Sequence, residues 1–247
     1  MKKAIILAAG MGTRLGSMTK RQPKCLTKIR GVDILHRQVE QFKSVGIKSI
    51  IVVTGHLSDK IDRKDIIKVH NNEFAKTNML FSLFCAKDFF KEGVIVSYGD
   101  IVFNKTTLLK LIDSKNEITI VSDKSWRQYW GQRFENPIDD IESFEIRENN
   151  LVKSLGKKVK SLEGINGQYI GLIKFSDKGS KFLTKMYYDY EKLNKKINGN
   201  HIHQAYMTDI LNLLAEKKKL SYVEIDRGWF EIDTLNDLKV ANKYLDW

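Results

Sequence analysis

Two glycines and an arginine in the spacing Gly10-x-Gly12-x-Arg14, straight after the apolar run Ala4-Ile5-Ile6-Leu7-Ala8-Ala9, are the residues best suited to do chemistry. Glycine lets a backbone turn sharply and approach an anion closely, and successive N–H groups in such a turn form a concavity that holds one. Arg14 adds a planar, permanently charged fork matched to phosphate oxygens. Lys24, directly after Pro23, adds a compact second cation. The chemistry indicated is that of a phosphate-bearing ligand. Two other glycine loops fit less well. A Walker A loop needs a Gly-Lys-Ser/Thr ending that is absent here, and a dinucleotide fingerprint needs glycine where Leu15 stands, Gly16 arriving one residue late.

The elements around this loop follow from hydrophobic periodicity. Lys3 to Ala8 and Lys48 to Thr54 are short, nearly continuous apolar runs, as expected of strands buried on both faces. Between them Ile34, Leu35, Val39, Phe42 and Val45 recur at helical spacing, with Gly46 as the stop signal. A strand–helix–strand unit of this length predicts a parallel α/β sheet. Ile66 to His70 and Gly93 to Tyr98 read as further strands, with a helix from Met79 to Asp88. Gly99-Asp100 then falls at a carboxyl strand end, the edge where open parallel sheets bind ligands. After Ser125 the pattern changes: Trp126 to Asp139 reads as a loop, and Ser143 to Leu155 and Gln168 to Phe175 as antiparallel strands. A small α+β insertion or lid, for acceptor binding, is expected at about 125–175 within a single domain spanning 1–247. Helices at Asp177–Leu193 and His203–Glu216, strands at Ser221–Asp226 and Trp229–Asp233, and a helix at Leu235–Leu245 complete the chain.

A chain of 247 residues can bury a substantial core. No apolar run approaches the roughly 18 to 20 residues of a membrane span, and the short run after Met1-Lys2-Lys3 reads as the first strand of a cytoplasmic protein rather than a signal peptide. Membrane insertion is not expected. Cys25 and Cys85 have neither disulfide-scaffold nor zinc spacing. The net charge of +12 comes from scattered lysines rather than a stripe, so nucleic acid is not an expected partner. His36, His56, His70, His201 and His203 form no triad and no metal-spaced set. No feature of the sequence sets an oligomeric state.

The run Leu7-Ala8-Ala9-Gly10-Met11-Gly12-Thr13-Arg14-Leu15, followed by Pro23-Lys24-Cys25-Leu26, resembles the signature of nucleotidyltransferases that make sugar-nucleotides and CDP-alcohols. The resemblance runs through Gly99-Asp100 to Glu231-Ile232-Asp233. It implies an α/β fold with a Rossmann-like mixed sheet, helices on both faces, and a triphosphate held by Leu7, Ala8, Ala9, Gly10, Gly12, Thr13 and Arg14. Arg14 and Lys24 become the catalytic cations. It also implies Mg²⁺ on Asp100, Glu231 and Asp233. Residues two apart on a strand share a face, and Mg²⁺ takes one or two carboxylates together with substrate phosphates. The competing reading makes Asp233 a cap of the last helix.

Thr77-Asn78-Met79-Leu80-Phe81-Ser82-Leu83 resembles phosphocholine and phosphonate cytidylyltransferases, which favours CTP. Cytosine contacts are expected from Asn78, Ser82 and backbone near Gly55, with Asp100 at the nucleotide phosphates; Asn78 is also a natural helix cap. Trp126, Arg127, Tyr129, Trp130 and Arg133, with Lys157 and Gln168 further on, resemble cytidylyltransferases for 2-aminoethylphosphonate or L-glutamine phosphate. Aromatic faces suit an ammonium group, arginines a carboxylate or phosphate. Acids at Asp139, Asp140 and Glu142 would suit the cation, as would Asp209, which reads equally as a surface acid. The expected activity is CMP transfer from CTP to a small amino-bearing phosphate, phosphonate or phosphoramidate, releasing pyrophosphate. The alternative is a sugar-1-phosphate uridylyl- or thymidylyltransferase.

Overall fold

From Ala4 to Ala8 every residue of the first strand is buried, so it needs neighbours on both edges and helices over the sheet. The computed structural model, which describes residues 2–247, shows both. The chain runs through β1 (Lys3–Ala8), a hairpin of β2 (Lys28–Ile29) and β3 (Val32–Asp33), α1 (Ile34–Ser44), β4 (Ser49–Thr54) and β5 (Ile67–His70). It continues with α2 (Met79–Cys85), β6 (Val94–Tyr98), β7 (Ile101–Phe103), α3 (Lys105–Asp113), β8 (Ile118–Asp123), α4 (Trp126–Arg133), β9 (Glu142–Arg147) and β10 (Leu151–Lys158). The remainder is β11 (Gln168–Phe175), α5 (Asp177–Lys192), a hairpin of β12 (Lys196–Ile197) and β13 (Asn200–His201), α6 (Met207–Glu216), β14 (Ser221–Ile225), β15 (Trp229–Glu231) and α7 (Leu235–Tyr244).

Nine strands form one mixed sheet in the order β5-β4-β1-β6-β11-β8-β14-β10-β9. The β5, β4, β1 and β6 part is parallel, while β11 lies antiparallel between β6 and β8. Helix α1 packs against α3, and α2 against α6, around the sheet. Helix α1 starts where the Asp33 side chain accepts from the His36 N–H at 2.7 Å, and after it Gly46 takes φ +82°, the left-handed turn that glycine makes without strain. Of the span 125–175, β9 and β10 extend the sheet at one edge, whereas β11 sits near its middle.

One expectation fails outright. Trp126 to Arg133 is a helix, not a loop. Its buried residues Trp126, Tyr129, Trp130 and Arg133 keep helical spacing, and the three aromatics alone already repeat at i, i+3 and i+4. Counted as ligand-binding rings, they conceal a helix face. The helix beginning at Met79 also stops at Cys85, with a 3-10 turn at Lys87–Phe89, and α6 begins at Met207 after a 3-10 turn at Ile202–Gln204.

Candidate active site

Three parallel strands deliver their carboxyl ends to one edge: β1 opens into the glycine loop, β4 into Gly55 and β6 into Gly99-Asp100. Gly12 takes φ +62°, and a Cβ there would lie 3.0 Å from both Lys24 Cβ and Thr19 Cγ2. Both the turn and the close approach favour glycine. Gly10 would meet nothing within 4 Å, since it faces open space. The Thr19 hydroxyl donates to Gly12 O at 2.9 Å, and a His56 ring nitrogen lies 3.1 Å from Thr19 O. His56 therefore straps the loop to the end of β4, a structural histidine. Gly55 is a packing glycine: a Cβ there would lie 2.6 Å from Ala9 O.

Charge gathers at the loop's far side. Lys24 Nζ lies 2.7 Å from Asp100 Oδ2 and 2.5 Å from Asp233 Oδ1. Burial works against the ammonium, but the two carboxylates outweigh it and hold its pKa above the usual lysine range. Arg14, still well exposed, pairs with Asp233 and approaches Asp140 at 3.7 Å. Asp100 Oδ1 is buried without a hydrogen-bond partner. Beside these groups burial, reinforced by the charges of Asp33 and Asp100, pushes the Cys25 thiol up to about 12.

Two adjoining cavities open here. The first, about 250 Å³, is lined by Leu7, Ala8, Ala9, Gly10, Gly12, Thr13, Arg14, Lys24, Ser82 and Asp100, with Cys25, Met79, Tyr98, Gly99 and Asp233. The second, about 310 Å³, shares Arg14, Met79, Tyr98, Asp100 and Asp233 with it and continues past Trp130, Asp140, Glu142, Gln168 and Tyr169 to Tyr206, Trp229 and Glu231. Its walls are aromatic and acidic. Burial raises the carboxyl pKa of both Asp140 and Glu142, and raises that of Glu231 to about 7, against the pull of Arg133.

The expected site residues divide sharply. Ser82 lines the first cavity, and its hydroxyl accepts from Asn71 Nδ2 at 3.0 Å. Asn71, fully buried at the end of β5, carries no sequence signal that would have singled it out. Asn78 does not line the cavity; its Oδ1 accepts from Met79 N at 2.8 Å as the cap of α2. Trp130 and Gln168 line the second cavity. The Gln168 amide donates to Glu142 O at 2.5 Å, so it holds the wall as much as it forms it.

The other acceptor candidates lie elsewhere. Trp126 and Tyr129 are core residues of α4. Arg127 donates outward to Leu162 O at 2.8 Å, and Lys157 is exposed on β10. Asp209 accepts from Tyr206 N at 2.8 Å and Asn198 Nδ2 at 2.5 Å as the capping acid of α6. Arg133 is buried in an ion pair with Asp237. Tyr129, Arg127, Asp209 and Arg133 are held there by a backbone or buried partner. Of the nearby acids, Asp140 and Glu142 reach the cavity and Asp139 does not.

Glu231 ends β15, and with Asp233 just beyond it flanks a fully buried Ile232. Among the described residues no three His, Cys, Asp or Glu converge as a metal cluster. Asp100 and Asp233 meet around Lys24, whereas Glu231 is drawn 2.9 Å from Arg133 Nη1. The partnerless Asp100 Oδ1 is the donor a hard cation would use. The residues thus fit two carboxylate ligands better than three.

With this geometry, residues 4–151 match the model of the MobA-like NTP transferase domain. The chain is 41% identical to the CTP:phosphoglutamine cytidylyltransferase of Campylobacter jejuni, covering 96% of this chain and 98% of that one. It is 24% identical to the 2-aminoethylphosphonate cytidylyltransferase of Lancefieldella rimae over 95% of this chain and 89% of that one. The solved CTP:phosphocholine cytidylyltransferase of Streptococcus pneumoniae superposes with a TM-score of 0.74, covering 100% of both chains at 18% identity, a likeness of fold. Among the described residues no helix is long and apolar enough to cross a membrane.

Proposed function

Since the chain belongs to the MobA-like NTP transferase family, we propose that it transfers CMP from CTP to a small amino-bearing phosphate, phosphonate or phosphoramidate, with L-glutamine phosphate the first acceptor to try. The observation that carries this reading is the second cavity: aromatic rings and carboxylates, with Asp100 and Asp233 on the wall it shares with the glycine loop. An ammonium group suits aromatic faces and ionised acids, and a sugar phosphate offers neither wall a cation. The extent of identity to the Campylobacter jejuni protein supports both CTP and a phosphoglutamine-type acceptor.

In this reaction an oxygen of the acceptor phosphate attacks the α-phosphorus of CTP in line. The bond from that phosphorus to the α–β bridging oxygen breaks, and pyrophosphate leaves. The attacking oxygen is already anionic, so no protein base is required. Catalysis becomes positioning and charge neutralisation. Lys24, held charged by Asp100 and Asp233, faces the charge that builds at the α-phosphate. Arg14, largely exposed where it pairs with Asp233, is the cation offered to the departing β- and γ-phosphates. Mg²⁺, held by Asp100 and Asp233, would supply further neutralisation of the triphosphate.

Pyrophosphate release tests the reading, with each of five nucleoside triphosphates against phosphocholine, phosphoethanolamine, 2-aminoethylphosphonate and L-glutamine phosphate, with and without Mg²⁺. CTP with an amino-bearing acceptor should give the fastest release, abolished by chelation. Silence with CTP and every acceptor overturns it.

A further inference from the structure

Of the aromatic and arginine pattern on α4, only Trp130 reaches the cavities beside the glycine loop. The closing residue of the helix, Arg133, has no exposed side-chain surface, and its guanidinium lies 4.9 Å from the Trp130 ring and 5.0 Å from the Phe134 ring. Arg133 Nε donates to Asp237 Oδ1 at 2.7 Å, and Nη1 lies 2.9 Å from Glu231 Oε2. The other Asp237 oxygen accepts from the backbone N–H of Asp233 at 2.9 Å and of Thr234 at 2.7 Å. One guanidinium thereby reaches both residues that flank Ile232: Glu231 by a charge contact in which Nη1 makes no hydrogen bond, Asp233 through Asp237, which accepts from its backbone N–H.

Packing alone does not explain the arrangement. Buried ion pairs add little stability over apolar side chains of similar volume, because desolvation offsets their attraction. What a fork offers instead is fixed geometry. We propose that Arg133 is a positioning residue that sets Glu231 and Asp233 relative to each other, and so places the Asp233 carboxylate against Lys24. This rests on the CMP transfer proposed above.

The test compares Arg133→Lys, which keeps the charge but loses the fork, with Arg133→Met, which keeps apolar volume alone. Val240→Ala in α7, buried and outside both cavities, controls for lost packing. Folded sites are counted by CTP binding in calorimetry without acceptor. Both Arg133 variants should lose about 10²-fold in kcat per CTP-binding site, the cost of a displacement near 1 Å. Their affinity for CTP should stay within about threefold of the parent. Val240→Ala should lower the melting temperature and leave kcat per site unchanged. If Arg133→Met does not fold, Arg133→Lys decides. Full kcat per site in Arg133→Lys, whatever its melting temperature, overturns the positioning role while leaving an active parent enzyme. A parent that releases no pyrophosphate with any pair removes the functional reading and this one with it.

Discussion

The cavity at the glycine loop takes most of its wall from one stretch, Leu7 to Cys25, whereas the adjoining cavity collects residues from Tyr98, α4, the start of β9, β11, α6 and β15. The first offers backbone and two cations to a ligand that is mostly phosphate. The second offers rings and acids, a chemistry that discriminates between acceptors. A loop that only has to cradle an anion can be encoded locally, because backbone N–H groups suffice. A pocket that must tell one small molecule from another needs groups approaching from several sides. They share Asp100 and Asp233, the boundary on which the proposed transfer depends.

The comparison can be broken most forcefully at the boundary itself. Lys24→Ala should lower kcat by about 10²–10³-fold, the range for removing a preorganised charge at a reacting centre, with circular dichroism unchanged. Near-normal turnover would mean the shared wall is not where transfer happens. Within the second cavity alone, Asp140→Asn or Glu142→Gln should raise the acceptor KM about tenfold, as for losing one hydrogen bond to a charged group, while the CTP KM stays level. An equal rise in both would erase the division between cavities.

The same acids give the two cavities different pH responses. Burial raises the pKa of Asp140 and Glu142, so on acidification they lose their charge earlier than ordinary carboxylates. The KM for an ammonium-bearing acceptor should therefore climb as pH falls through that raised range, while the CTP KM stays level. Initial rates at fixed ionic strength would show it. The smallest effect sharpens the outer limit of the acceptor cavity. Arg127→Ala and Lys157→Ala, whose side chains lie outside it, should leave the acceptor KM within about twofold, the scatter of independent sites.

The α/β alternation, the glycine loop, Lys24, Asp100 and the Glu231/Asp233 pair were legible in the residues. Each rests on a local rule: apolar runs, a backbone turn, or the two-residue strand period. Helix α4 was illegible for an equally physical reason. Its inward rings Trp126, Tyr129 and Trp130 do repeat at i, i+3 and i+4, but no side chain caps its start and dense aromatics equally suit a ligand-binding loop. Asn78 and Asp209 matched binding chemistry by type, yet each satisfies backbone N–H groups at the start of a helix. Asn71, which holds Ser82, gave no signal at all.

By itself the sequence determined that a glycine loop follows a buried strand, and that two acids stand two residues apart near the end of the chain. Both are short-range features, carried by neighbouring residues alone. Only the tertiary structure decided which rings and acids line the second cavity and which support others from behind. That choice depends on partners far along the chain: Asp237 for Arg133 and Leu162 for Arg127. A polar side chain goes where its hydrogen bonds are met, and folding alone brings those partners within reach.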